Sequence, residues 1–215
     1  NLGLRTHILK CGSYIEEYGL DAMAVFEDDT YPSPAFYNYM KQAVECYNED
    51  DNIAGISLYS HAFNMNVHLP FQPDNNGYDT YFLQYAQSWG QVWMRKQWKE
   101  FIDWYQENQG DLSERTDLPK RVRNWPKSSW LKYHTAYCVS RSKYFVYPYV
   151  SLVTCYNEVG THASKRTTQY HVPMMKNANK KYLFPDLKQD LVSYDVFFER
   201  EQVANYLNIS KEELC

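Results

Sequence analysis

Apolar residues first recur at helical spacing at Leu4, Ile8, Leu9 and Ile15, which predicts a helix within residues 1–18. An unbroken apolar run follows, Ala22-Met23-Ala24-Val25-Phe26, entered from Gly19 and stopped by three acids and the turn Tyr31-Pro32-Ser33-Pro34. Short apolar runs bounded by turn residues read as buried strands, here over 22–26. Phe36, Tyr39, Met40, Ala43, Val44 and Tyr47 form a second helical stripe and predict a helix over 34–47 packed on a sheet. Ile53-Ala54-Gly55-Ile56-Ser57-Leu58-Tyr59 predicts the next strand, 53–59.

Residues 61–79, rich in Asn, Pro and Asp, then break the periodicity. A loop of this length in a compact domain is a candidate functional segment. From Ala86 a helix is predicted towards Tyr105, capped by Ser88, with Trp93, Trp98, Phe101 and Trp104 as its apolar face. The charged stretch 107–123 reads as a surface excursion, and Trp125-Pro126-Lys127-Ser128-Ser129-Trp130 restarts a helix with Pro126 in its first turn. Residues 144–152 are aromatic and strand-prone, and 154–162 read as a loop with donors at its tip. Near the end, Asn208-Ile209-Ser210 matches a glycosylation sequon, but Ser210 with Glu213 reads as a capping box. A helix starting at residue 1 and another cut at Cys215 give the chain the look of one trimmed at both ends.

The chemistry concentrates at the end of the first strand, in Glu27-Asp28-Asp29. Adjacent carboxylates repel one another; they belong either to a solvated turn or to a site holding a hard cation such as Mn²⁺ or Mg²⁺. A strand delivering acids into a loop brings the cation level with the solvated turn, because ligands of open α/β sheets sit beyond the carboxyl ends of strands; the residues alone leave both open.

Bulk properties narrow the partners. At 215 residues, one domain with a real core is expected. A net charge of −4 argues against nucleic acid or an anionic membrane. No run approaches the roughly twenty apolar residues of a membrane helix. The five scattered cysteines suit reduced thiols in a cytoplasmic protein, not a zinc site. Aromatic residues make up 17%, with 21 tyrosines and 6 tryptophans, a content suited to stacking on sugar rings as well as to filling a core. Trp89, beside Gly90, is the tryptophan expected nearest a ligand. There is no Gly-rich phosphate cradle.

Taken in order, Asn1-Leu2-Gly3-Leu4, the apolar strand and Glu27-Asp28-Asp29 resemble the middle of a GT-A nucleotide-sugar glycosyltransferase of the family-2 type. The acidic triplet followed by a proline turn and Phe36, Trp125-Pro126-Lys127-x-x-Trp130, and Pro148-x-x-Ser151-x-x-Thr154 with Gly160-Thr161-His162 are similar to blocks of the Golgi N-acetylglucosaminyltransferases. The likeness runs from residue 1 to about 165. It implies an α/β fold, a GT-A-like three-layer α/β/α sandwich with a mixed sheet, without its N-terminal nucleotide-binding strands. Asp29 would hold Mn²⁺ or Mg²⁺, and Glu27 and Asp28 would contact the ribose or donor sugar. Thr161 and His162 would close over the diphosphate, and Trp89, Gly90 and Trp130 would flank the acceptor. The single domain 1–215 would divide into a remnant donor and metal half (1–60), an acceptor half with the donor loop (61–165) and a C-terminal extension (166–215).

One departure concerns the base. The relatives place it just after the second tryptophan of the Trp-Pro-Lys block, where this chain has Leu131-Lys132. Lysine is a poor substitute for a carboxylate base. Glu158 is the candidate replacement, with Asp117 behind it.

The expected function is therefore inverting, metal-dependent sugar transfer from a nucleotide-diphosphate donor, a UDP-sugar by preference, to a glycan or polysaccharide acceptor. The expected setting is the bacterial cytoplasm. The competing reading is a non-catalytic carbohydrate-binding module on the same fold. A phosphoryl hydrolase would need further Asp or His ligands at strand ends, which the sequence lacks.

Overall fold

A computed structural model describes residues 2–156, 167–187 and 192–201. Among these residues, a six-stranded mixed sheet runs in the order β1-β5-β3-β6-β4-β8. Its strands are β1 (Ala22–Val25), β3 (Ile53–Ser57), β4 (Thr80–Leu83), β5 (Gln91–Met94), β6 (Tyr144–Pro148) and β8 (Ser193–Tyr194). The pairs β3·β6 and β4·β8 are parallel and the others antiparallel. A separate two-stranded ribbon joins β2 (Thr30–Pro32) to β7 (Val153–Cys155). The helices are α1 (Leu4–Glu17), α2 (Phe36–Tyr47), α3 (Arg95–Glu107), the short α4 (Lys120–Arg123) and α5 (Trp130–Ser140).

Strand residues alternate between two cores, one on each face. Ala54, Tyr81, Leu83, Trp93, Phe145 and Tyr147 pack with Ile8 and Ile15 of α1 and with residues of α3 and α5. Their neighbours Ile53, Phe82, Val92, Met94 and Val146 pack with Tyr39, Ala43 and Tyr47 of α2. Helices therefore cover both faces, which explains why the central strands read as continuous apolar runs. On the α1 side, Trp93 stacks on Trp98 (centroids 4.1 Å apart), and α1 crosses that stack at Gly12.

Several stretches differ from the sequence expectation. Residues 91–94 are a strand, not the first turns of a helix, and α3 starts only at Arg95. Ser88 accordingly caps nothing; the N-cap position is Met94. The supposed surface excursion of 107–123 buries Leu112, Leu118 and Val122 in the α1-side core. Before α5, Pro126 begins a turn closed by Ser129 N donating to Pro126 O, and Ser129 rather than the proline opens the helix. No helix among the described residues is long and apolar enough to cross a membrane.

Candidate functional site

Because β5 runs antiparallel to both β1 and β3, and β6 parallel to β3, the carboxyl ends of β1, β3 and β6 lie on one rim of the sheet. The acidic residues leave β1 there. Phe26 anchors the exit edge-on against Phe36, centroids 5.2 Å apart. A tight turn follows, in which the Glu27 carbonyl accepts from both the Thr30 amide (3.2 Å) and the Thr30 hydroxyl (2.6 Å). The Asp29 carbonyl accepts from the Tyr156 amide at 2.7 Å, so the β2–β7 ribbon holds the turn from its far side.

Glu27 and Asp29 sit in an environment that opposes their charge. Burial, with Asp29 and Asp28 adding, pushes the Glu27 carboxyl up to about 7, while a hydrogen bond from Ser88 pulls it back. Burial, then Asp28, raises Asp29, partly offset by a backbone hydrogen bond. The buried Cys155 thiol, opposite Thr30, is raised by burial and then by Asp29 and Glu27. Asp29 Oδ1 is buried without a protein hydrogen-bond partner. Among the described residues none of the three acids has an ion-pair partner. Nor, among these residues, do three His, Cys, Asp or Glu side chains form a complete metal cage. An incomplete shell still fits Mg²⁺ or Mn²⁺ binding with substrate phosphates and water, which needs only one or two carboxylates.

Next to the acids lies the turn before β5. Gln87 Oε1 accepts from the amides of Ser88 (2.8 Å) and Trp89 (3.1 Å), which fixes the turn from below. Gly90 has φ +70, and a Cβ there would lie 3.0 Å from Val153 and 3.3 Å from Leu58. Glycine is needed on both counts. Trp89 is thereby left half-buried at the rim, 5.0 Å from Tyr59 and 4.6 Å from Tyr170 between ring centroids. Tyr170 continues to Phe63 (5.7 Å) and Phe63 to His68 (5.6 Å, nearly parallel). Trp89 and Gly90 thus adjoin the acid turn, with Trp89 offering a ring and Gly90 only backbone geometry.

Other expected residues fall elsewhere. Trp130, expected beside the acceptor, is 3% exposed and packs edge-on against Trp93 in the core. Its helix is surrounded on nearly every side, so the tryptophan fills volume instead of facing a ligand. Lys132 is 4% exposed and donates to the carbonyls of Arg123 (2.7 Å) and Trp125 (3.1 Å). It ties the end of α4 to the start of α5. Asp117 is gripped by Arg115 through two hydrogen bonds, which hold its carboxyl below the usual range and unsuit it as a base. Glu158, Thr161 and His162 lie outside the described residues.

The sequence reading missed Tyr59, Phe63, His68 and Tyr170. Phe63 and His68 belong to the long loop 61–79, whose length was the available signal; nothing local marks Tyr170. Neither the protein-family models nor the curated proteins compared with this sequence contain a match.

Proposed function

We propose that the protein is a metal-dependent glycosyltransferase that moves a sugar, with inversion, from a nucleotide-diphosphate donor to a glycan or polysaccharide acceptor. What carries the reading is the acid turn: half-buried carboxylates with no cationic partner among the described residues, tied to the carboxyl rim of a mixed sheet beside a half-buried tryptophan. A mixed sheet with helices on both faces is compatible with the GT-A architecture expected from the sequence.

Asp29 would hold Mn²⁺ or Mg²⁺ through its unpartnered Oδ1. When bound, the cation supplies positive charge where a departing nucleoside diphosphate accumulates negative charge. Asp28, exposed at the turn, and Glu27, beside Ser88, would contact the ribose or donor sugar. Trp89 would offer its ring to the acceptor, which fits the preference of sugars for aromatic surfaces that keep one face dry.

Calorimetry with UDP tests this reading. UDP should bind in the presence of Mn²⁺ and not in its absence, and Asp29→Asn should weaken binding about tenfold or more. A folded protein showing no Mn²⁺-dependent binding of UDP would overturn it. The alternative is a carbohydrate-binding module without catalysis, favoured by Lys132, which stands where the resemblance places the base yet spends its donors on two backbone carbonyls. Sugar release from UDP-sugars, dependent on Mn²⁺ and Asp29, separates the two.

A further inference from the structure

The half-buried rings at the rim do not end at Trp89. Tyr170, packed like Trp89 against both cores, is followed by Phe63 and then by the exposed His68, so one row leads from the acid turn out over the loop 61–79. His68 sits at φ 57, in the left-handed region that histidine enters more readily than most side chains.

The far end of the row is cationic. Arg121 Nη1 donates to His68 Nε2 at 3.1 Å. A guanidinium donates and cannot accept, so His68 Nε2 accepts this bond. The side-chain nitrogen Nε2 of Gln169 lies 3.2 Å from His68 Nδ1 on the other side of the ring. An imidazole carries no negative charge and does not offset the charge of Arg121. No carboxylate does so among the described residues, and Arg121 Nε has no acceptor. Arg121 also acts inward: burial and then its charge lower the buried His61 to about 3, while burial raises the Tyr85 phenol and Arg121 offsets part of that rise.

We propose that this row binds an extended acidic glycan, its sugar rings lying along Trp89, Tyr170 and Phe63 and an oxyanion of the chain pairing with Arg121. The aromatic faces supply contact that any hexose can use. Arg121 supplies the discrimination, because a planar guanidinium pairs with carboxylate or sulfate oxygens in a fixed, charge-assisted geometry and makes only a weaker single bond to a neutral hydroxymethyl. Use of the row as an acceptor track rests on the transferase reading; binding of the acidic chain does not.

Binding is therefore measured directly, by calorimetry and tryptophan fluorescence, without donor. The probes are uronate-containing tetrasaccharides of several linkages, their carboxyl-reduced neutral counterparts, and a sulfated neutral tetrasaccharide. At least one uronate chain should bind about tenfold more tightly than its reduced counterpart. Arg121→Gln should bring that ratio near one while leaving affinity for the neutral chain unchanged, and Phe63→Ala should weaken both. Preference for the sulfated over the uronate chains, lost with Arg121→Gln, would support the row with sulfate as its anion. Equal affinity for acidic and neutral chains, or no binding of any chain, would overturn the proposal. Mn²⁺-dependent UDP binding, read in parallel, separates the cases: its loss with acidic-chain binding intact removes the transferase reading alone, and the reverse removes the row alone. Arg121 is part-exposed on a four-residue helix, so Arg121→Gln should keep the wild-type unfolding midpoint.

Discussion

Gly12→Ala should destabilise the protein by about 3 kcal/mol, measured by urea unfolding, although alanine is the better helix former. In an open helix the substitution would gain about 1 kcal/mol. Here the added Cβ would lie 1.8, 2.1 and 2.6 Å from three ring atoms of Trp98. Those distances leave no room for a small adjustment. Trp98 is stacked on Trp93 at 4.1 Å and packed against Phe101 at 5.4 Å, so its ring must leave that stack or α1 must lift from α3. Either movement forfeits much of the packing of a large aromatic, worth about 3–5 kcal/mol when removed outright. A variant as stable as the wild type would mean that Trp98 is not locked as described.

His134→Phe should act in the opposite direction, stabilising the protein, and more so in acid. The ring is 1% exposed, stacked on Phe101 at 4.1 Å, and neither nitrogen has a protein hydrogen-bond partner. Burial lowers its pKa to about 3. Folding therefore carries in a polar ring at a cost of about 1–3 kcal/mol, which phenylalanine removes. The pH dependence follows from linkage. Well above pH 6.5 the ring is neutral in both folded and unfolded chains. As pH falls towards 3, only the unfolded chain gains the proton, so stability declines. At pH 5 this amounts to about 2 kcal/mol. His61, likewise lowered to about 3 by burial and then by Arg121, declines in the same direction. Glu27 opposes both: its carboxyl is raised to about 7, and acidification relieves the cost of keeping it charged. The wild-type profile is thus a composite, and the difference between wild type and His134→Phe isolates one group. Urea titrations at pH 7.5 and 5.0 should show the gap widening by about 2 kcal/mol; a constant gap would refute the assignment.

Strands β1 and β3 were legible because each is an uninterrupted apolar run between turn residues. β5 was not. Trp93, Trp98, Phe101 and Trp104 have spacings that pass for one helical face, yet the first lies on a strand and the rest on the helix that follows. Burial on both faces removes the polar alternation that would have marked Gln91–Met94 as a strand. β4 was hidden at the edge of a polar loop, since its partner β6 lies more than sixty residues downstream. The site divides in the same manner. Three consecutive acids at a strand end can be read from local sequence, whereas Trp89, Tyr170, Phe63 and His68 come from three separate stretches that only the fold brings together. Arg121 lies in a charged segment that resembles solvated surface until its neighbours are known. Trp130 misleads for the converse reason: a conspicuous tryptophan in a familiar-looking block is, in this fold, a core residue.

The bond from Tyr156 N to Asp29 O, together with the two Thr30 bonds to Glu27 O, bears on affinity through entropy. Fixing a residue's backbone costs about 1–2 kcal/mol, and a free acidic loop tip would meet that cost whenever it captured a cation. Here folding has already ordered the turn, with the ribbon as its splint. A cation and its phosphates would thus meet preorganised oxygens, and binding would spend its free energy on removing water and repulsion instead of on ordering the chain.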